Sequence, residues 1–338
     1  IFRYRNIYAV KGCKSFFYAL ITMFLIIAFN EYRYGELKLL IPLIFNILFL
    51  IISVNLYKFY KDIFYQSFFV FTISTIIITL FFFFGYEVEY SLENRISVLG
   101  NNQNELSRRI SISIIFIIYF FLKKYLVNNF LKFIFLVSIP LMTYFLFSTG
   151  SRTGFLSLII MLLILNLFNT RPYKGAYFFK VVFISLLVVL SWVFYLKDTY
   201  VIERLLNTFN EGDISGRDKN WEVGLLAVLD NLWFGLGLSK HTNEINKIIG
   251  YNTSPHNVFI EVLGAAGIIG LIFFLYFNIK ILYLSFVNYL RDNNIIYLTI
   301  FIPVLFMLFS AQILTPKLPW LIIAAVIASS FELKTKYL

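Results

Sequence analysis

Charge is scarce in this chain. Only 14% of its 338 residues are Asp, Glu, Lys or Arg, where a soluble globular domain carries roughly 25%. With 60% hydrophobic residues and a mean hydropathy of +0.80, it holds more apolar surface than its own interior can hide. Lipid is therefore part of its solvent. Cysteine is nearly missing: Cys13 stands alone, which excludes an internal disulfide framework. No Gly-rich phosphate loop precedes a Lys-Ser/Thr pair, and Gly235-Leu236-Gly237 is only a fragment of one. No His/Cys/Asp set has metal-ligand spacing, so neither metal nor cofactor is expected. A Gly-x-Ser-x-Gly elbow is lacking. So is any cytosolic domain able to hold a nucleotide sugar, any repeat and any low-complexity linker. Asn252-Thr253-Ser254 matches a glycosylation acceptor by chance. The chain opens on Ile1, so its native start is expected upstream, and its basic opening runs into an apolar segment without a cleavable signal.

The net charge is +11. Basic chains can bind nucleic acid, but here the cations stand at the ends of apolar runs, which fits membrane topology and excludes a nucleic-acid partner. A helix needs about 20 apolar residues to cross hydrocarbon. Apolar runs lie near 15–29, 39–57, 63–84, 106–122, 131–149, 153–169, 177–196, 257–279, 294–313 and 319–331. Arg108 and Arg109 shorten the fourth, which is expected to start in the headgroup layer. The pattern predicts an all-α fold: a polytopic membrane helical bundle of about ten transmembrane helices, one integral membrane domain over 1–338. Alternate short loops are rich in Lys and Arg, among them Lys123, Lys124, Lys132, Arg171, Lys174 and Lys180. By the positive-inside rule these loops and both termini are cytoplasmic. The single long polar stretch, 197–255, is then an extracytoplasmic (periplasmic) loop of a bacterial inner-membrane protein.

An ion-coupled transporter would carry ionisable groups near the bilayer midplane. Here Glu261 is the one acid clearly inside a run, near its outer end, and the other notable charges sit at the outer boundary. Arg152 lies in Ser148-Thr149-Gly150-Ser151-Arg152-Thr153-Gly154, at the start of a span. Helix N-termini carry partial positive charge and free N–H groups, and a guanidinium fork bonds two phosphate oxygens at once; a snorkelling interfacial Arg explains the position equally well. Arg217 precedes Trp221 and a run, 222–229, that reads as an amphipathic helix along the membrane; alone it reads as a solvated loop charge. Arg95 and Asn104 frame a polar outer loop. His256 follows Pro255, with Ser254 as a suitable N-cap, so it is expected in the first turn of the next helix. Its imidazole is the natural proton acceptor near neutral pH, though a headgroup contact is the commoner role of a lone interfacial His. Asn257 and Glu261 share a helix face. Gly264, Ala266, Gly267 and Gly270 suit close helix approach. His241 reads as ordinary.

Three ordered segments carry a resemblance: Gly150 to Gly154; Ser215-Gly216-Arg217 with Trp221 and Asn231 to Gly237; and Pro255 to Glu261 with Gly267 to Gly270. Around one long outer loop they resemble the O-antigen ligase/polymerase superfamily of bacterial surface-glycan enzymes, with Arg95 to Asn104 a looser match. The resemblance spans roughly 95–275. It implies a metal-independent, inverting glycosyltransferase whose donor is an undecaprenyl-diphosphate-linked glycan. Arg152 and Arg217 would hold the diphosphate and His256 would be the base, with Arg95, Asn104, Trp221, Asn257 and Glu261 binding substrate. Membrane lipid and a chain-length regulator protein are the implied partners. An O-antigen polymerase, joining lipid-linked repeat units in lipopolysaccharide or capsule synthesis, is the reading carried forward. A ligase to lipid A-core is the nearest alternative, and a lipid-linked glycan flippase the alternative of another class.

Overall fold

The computed structural model describes residues 13–34, 39–57, 59–90, 95–122, 128–168, 217–251, 253–292, 295–310 and 316–330, with isolated positions between them. Apart from one small hairpin and the turns between elements these residues are helical, as the apolar runs predict. Four helices are long and apolar enough to cross a membrane, within Ser15–Arg33, Ile63–Phe83, Asn129–Ser148 and Val258–Arg291; shorter apolar helices cover Leu40–Leu56, Arg152–Asn166, Ile296–Phe309 and Lys317–Ser329. The chain is an all-α polytopic membrane protein. The expected span at 177–196 lies outside the described residues save Phe183 and Leu186.

Two compact units divide the chain: a split unit, Ile1–Lys61 with Ile214–Leu338, and an inserted unit, Asp62–Asp213. The inserted unit holds α3 (Ile63–Phe83), a hairpin of β1 (Val88–Tyr90) and β2 (Ile96–Val98), α4 (Gln103–Leu122), α5 (Asn129–Ser148) and α6 (Arg152–Phe168). The strands pair antiparallel with Glu89 opposite Ser97. Helix α4 is its centre, because Ile110, Ile112, Ile114, Ile115, Ile117, Ile118 and Phe120 are all shut off. Apolar residues on every face mark a helix surrounded by protein. Phe116 stacks on Phe68 at 4.0 Å, and Phe82 on Phe145 at 4.4 Å. Helix α4 begins at Gln103, ahead of Arg108, which is only 3% exposed. Protein, not solvent, receives that charge.

The split unit holds α1 (Cys13–Arg33), α2 (Leu40–Leu56), α7 (Arg217–Leu226), a 3₁₀ turn (Leu229–Asn231), α8 (Leu238–Ile249), α9 (Val258–Asp292), α10 (Ile296–Ser310) and α11 (Lys317–Ser329). Helix α1 runs antiparallel to α9: Ser15 Oγ meets Tyr276 at 2.7 Å, Phe16 meets Phe277, and Met23 lies against Gly270. Asn288 Nδ2 ties α9 to α11 through Ser329 Oγ at 2.6 Å.

Helix α9 is not one rod. Gly267 adopts φ 67° and ψ −169°, outside helical space. The ring of Phe259 lies 6.2 Å from that of Phe274, whereas a straight helix would separate those positions by about 22 Å. The chain therefore bends sharply into segments 258–266 and 268–292. This corrects the expected single span at 257–279, and the longer segment suffices to cross a bilayer alone. The bend frees backbone groups, and the stretch before α8 takes them up. Leu236 N–H donates to Gly264 O at 2.6 Å and Gly237 N–H to Ala265 O at 3.1 Å; Ile268 N–H donates to Leu232 O at 2.9 Å and Ile269 N–H to Trp233 O at 3.4 Å. Three glycines make this possible. Gly235, Gly237 and Gly267 all have positive φ, and a Cβ on Gly267 would collide with the Trp233 carbonyl.

Candidate functional site

In the inserted unit, Arg95 and Asn104 do meet. Arg95 Nη2 donates to Asn104 Oδ1 at 3.0 Å, and Arg95 Nε donates to the Thr149 carbonyl at 3.3 Å. The hairpin brings Arg95 there, and Asn104 sits in the first turn of α4. Thr149 closes α5, Gly150 turns the chain at φ 66°, and Ser151 caps α6 by accepting from Gly154 N–H at 3.4 Å. Arg152, half-buried, is thus the first residue of α6. Gly154 presses on Ser107, and Ser111 Oγ bonds the Gly154 carbonyl at 2.9 Å, so α4 fixes the α6 entry. Arg95, Asn104 and the turn that presents Arg152 form one bonded group.

In the split unit, Arg217 is the first residue of α7 rather than a loop residue ahead of a helix at 222–229. The N-terminus of α7 is tied to the segment before α9: Asn220 Nδ2 bonds Thr253 Oγ1 at 3.4 Å, and Thr253 N–H bonds Asn246 Oδ1 at 2.8 Å. Further along, Gly224 packs against Pro255 and Ile260 with no room for a Cβ.

His256 is not in the first turn of α9. It precedes the helix in a left-handed turn at φ 48°, an unusual conformation for a residue with a side chain. The cap is Asn257, not Ser254: Asn257 Oδ1 accepts from Phe259 N–H at 3.0 Å and from Ile260 N–H at 3.4 Å. Ser-Pro and Asn both satisfy start-of-helix rules, and the later one is used. Asn257 is thus the cap ahead of the helix rather than a residue sharing a helical face with Glu261. Burial, and then the Arg217 charge, hold the His256 imidazole below its ordinary pKa. It is therefore neutral, and able to accept a proton, in the neutral pH range.

Three polar atoms around this group are buried without a hydrogen-bond partner among the described residues: Trp221 Nε1, Ser254 Oγ and Glu261 Oε2. Such atoms are rare in folded proteins, since each costs about 1–3 kcal/mol. Trp221 and Glu261 were expected as substrate contacts, whereas Ser254 was expected only as a cap.

Sequence reasoning also missed three positions. His241 is 1% exposed, and its Nε2 lies 2.9 Å from the Gly224 carbonyl. It fills the space Gly264 leaves, so Gly264 serves α8 rather than a transmembrane neighbour. Burial lowers its pKa, opposed by that backbone bond. Asn30 donates to Phe234 O at 2.6 Å and Ala265 O at 3.0 Å, clamping the bend. Glu31, 1% exposed, accepts from Ser239 N–H at 2.9 Å and Ser239 Oγ at 2.6 Å. An Asn-Glu pair closing an apolar run was the available signal. A cavity of about 550 Å³ lies between Tyr34 and α8, lined by Lys240, Asn243, Glu244, Asn246 and Lys247, and includes none of the expected site residues.

The bend, the capped His256 and the entry to α6 all fall within one stretch of chain. Residues 137–275 match a family model described as O-antigen ligase. Over that stretch, less than half of its length, the chain is similar to the O-antigen ligase family. The matched stretch includes Arg152, Arg217, Trp221, His256, Asn257 and Glu261, and leaves Arg95 and Asn104 upstream. No curated protein matches the chain. The ligase-family match supports an enzyme of O-antigen ligase or polymerase type in a membrane.

Proposed function

We propose that the protein is a polymerase of lipid-linked oligosaccharide repeat units, an inverting, metal-independent glycosyltransferase at the outer face of the bacterial inner membrane, with both termini in the cytoplasm. The observation that carries this reading is His256: a neutral imidazole in a left-handed turn just ahead of an Asn-capped helix, under the influence of the Arg217 charge, inside the stretch that matches the ligase family.

His256 takes the proton of an acceptor sugar hydroxyl, and the oxygen attacks the anomeric carbon of the donor. The bond from that carbon to the undecaprenyl diphosphate breaks, and the diphosphate leaves with its electron pair. Arg152 and Arg217 bind the leaving group; planar forks stabilise charge as it grows on paired oxygens. Trp221 Nε1–H donates to a sugar oxygen, and Glu261 accepts from a sugar hydroxyl, which completes both groups. Asn257 holds the turn that presents His256. Arg95 and Asn104 fix the turn that presents Arg152. A chain-length regulator is the proposed protein partner.

The test is deletion of the gene, complementation, and gel analysis of surface glycan. Polymerase loss leaves a single repeat unit on the surface. Ligase loss leaves none while lipid-linked polymer accumulates, and flippase loss stops outer-face assembly. His256→Ala should lower transfer by about 10²–10⁴-fold at normal membrane levels. Full-length polymer from that variant would remove His256 from the chemistry. Activity should survive a chelator.

A further inference from the structure

We infer that residues 225–237 form a wedge that enters the lipid bilayer at the headgroup–acyl boundary, facing acyl chains rather than water. The sequence pattern laid 222–229 along the membrane and left the rest of this stretch in the outer loop; three observations place 225–237 deeper.

The first is its surface. Leu225, Leu226, Leu229, Trp233 and Phe234 are all exposed, Trp233 by 65% and Phe234 by 61%. Large apolar side chains clustered this way mark a surface with a partner.

The second is depth. Helix α1 is a membrane span, and its contacts give a scale along the bilayer: Met23 is level with Gly270, and Asn30 with Ala265. Gly267 thus lies between the levels of Met23 and Asn30, about 10 Å inward of Arg33 at a rise of 1.5 Å per residue. The Trp233 carbonyl and Phe234 amide sit against Gly267. From there the chain climbs by steps toward the polar end of α1: Gly237 touches Glu31, Ser239 bonds Glu31, and Lys240 stands 3.9 Å over the Tyr34 ring.

The third is the backbone. Irregular chain at membrane depth must have its polar groups satisfied by protein. Here they are. The carbonyls of Leu232, Trp233 and Phe234 and the amides of Gly235, Leu236 and Gly237 all have partners, supplied by Asn30, by Asn231 and by the bend in α9. Asp230, exposed beside Leu229, sets the limit. A carboxylate at the bilayer centre is costly, so the wedge stays shallow, where a Trp belongs.

The occupant is bilayer lipid, and the inference stands independently of the reaction proposed above. Through α7 the wedge ties Arg217 to the leaflet, where a lipid-borne substrate arrives.

The experiment uses the full chain in phosphatidylcholine vesicles and reads tryptophan emission. Subtracting the spectrum of Trp233→Phe isolates Trp233 from the other three tryptophans. Its emission should be lost with lipids brominated near the headgroup end of the acyl chain, fall less with bromine near the chain terminus, and resist aqueous iodide. Quenching by iodide without quenching by bromine overturns the wedge. Strongest quenching by the terminal bromine overturns its shallow placement. Should Trp233→Phe misfold, Leu229→Trp in the native chain must add emission with the same order of quenching, and the opposite order refutes the inference.

Discussion

Arg95 and Trp221 both read from sequence as substrate contacts, yet the two units treat them differently. In the inserted unit, Arg95 spends its guanidinium on Asn104 and on the Thr149 carbonyl. Its group is complete without a ligand. In the split unit, Trp221 Nε1, Ser254 Oγ and Glu261 Oε2 are withdrawn from solvent and remain unpaired among the described residues. A closed polar group holds shape, whereas an open one costs stability until something binds. Under the proposed function the first is a mount for Arg152 and the second a receptor for hydroxyl-bearing substrate.

The comparison breaks most readily at the bend. Gly267→Val forces a side chain onto the Trp233 carbonyl at positive φ, and should cost more than about 3 kcal/mol. Thermal unfolding in detergent would show it; an unchanged midpoint would mean the bend is not as described. Next in size, Arg152→Lys keeps charge but loses the fork, and transfer should fall about 100-fold with little change in stability. Near-normal polymer would argue against bidentate phosphate binding. Arg95→Lys should mainly lower stability, by about 1–2 kcal/mol, with transfer following the folded fraction. A dead but fully stable variant would instead move Arg95 into direct substrate contact. Trp221→Phe deletes an unpaired donor, so stability should hold or rise slightly while acceptor KM rises about tenfold, near 1.4 kcal/mol. Lower stability with unchanged KM would show that the indole N–H is already satisfied.

The smallest effect is with pH. His241 and His256 both have lowered pKa values, so the unfolded chain binds protons that the folded chain refuses. Their contribution to stability is present above the ordinary histidine pKa and is lost as pH falls below about 6.5. The unfolding midpoint should drop between neutral and mildly acidic pH, and His241→Gln should flatten that drop. An equal slope in the variant would assign the effect elsewhere.

Most helices were legible because apolar runs and hydrocarbon thickness leave few choices: the run read at 63–84 is Ile63–Phe83, and that at 153–169 is Arg152–Phe168. The bend was not legible. Gly264, Gly267 and Gly270 satisfy helix packing on composition alone, and their actual neighbours, His241, Trp233 and Ala266 with Met23, are mostly remote in sequence. The cap of α9 moved by three residues because Ser254, Pro255 and Asn257 each satisfy a start rule and only packing chooses. Asn30 and Glu31 looked like the frayed polar end of a span, since one side chain's bonding to Ala265 leaves no mark on a local window. Site residues were found by type and order, while their partners needed the fold.

The four bonds at Gly267 join two pieces of chain that neither piece can satisfy alone. The amides of Leu236, Gly237, Ile268 and Ile269 must then open in a single event. Hydrogen exchange at these sites should report one shared protection factor, and a shear that slides 268–292 in the bilayer would carry α8 with it.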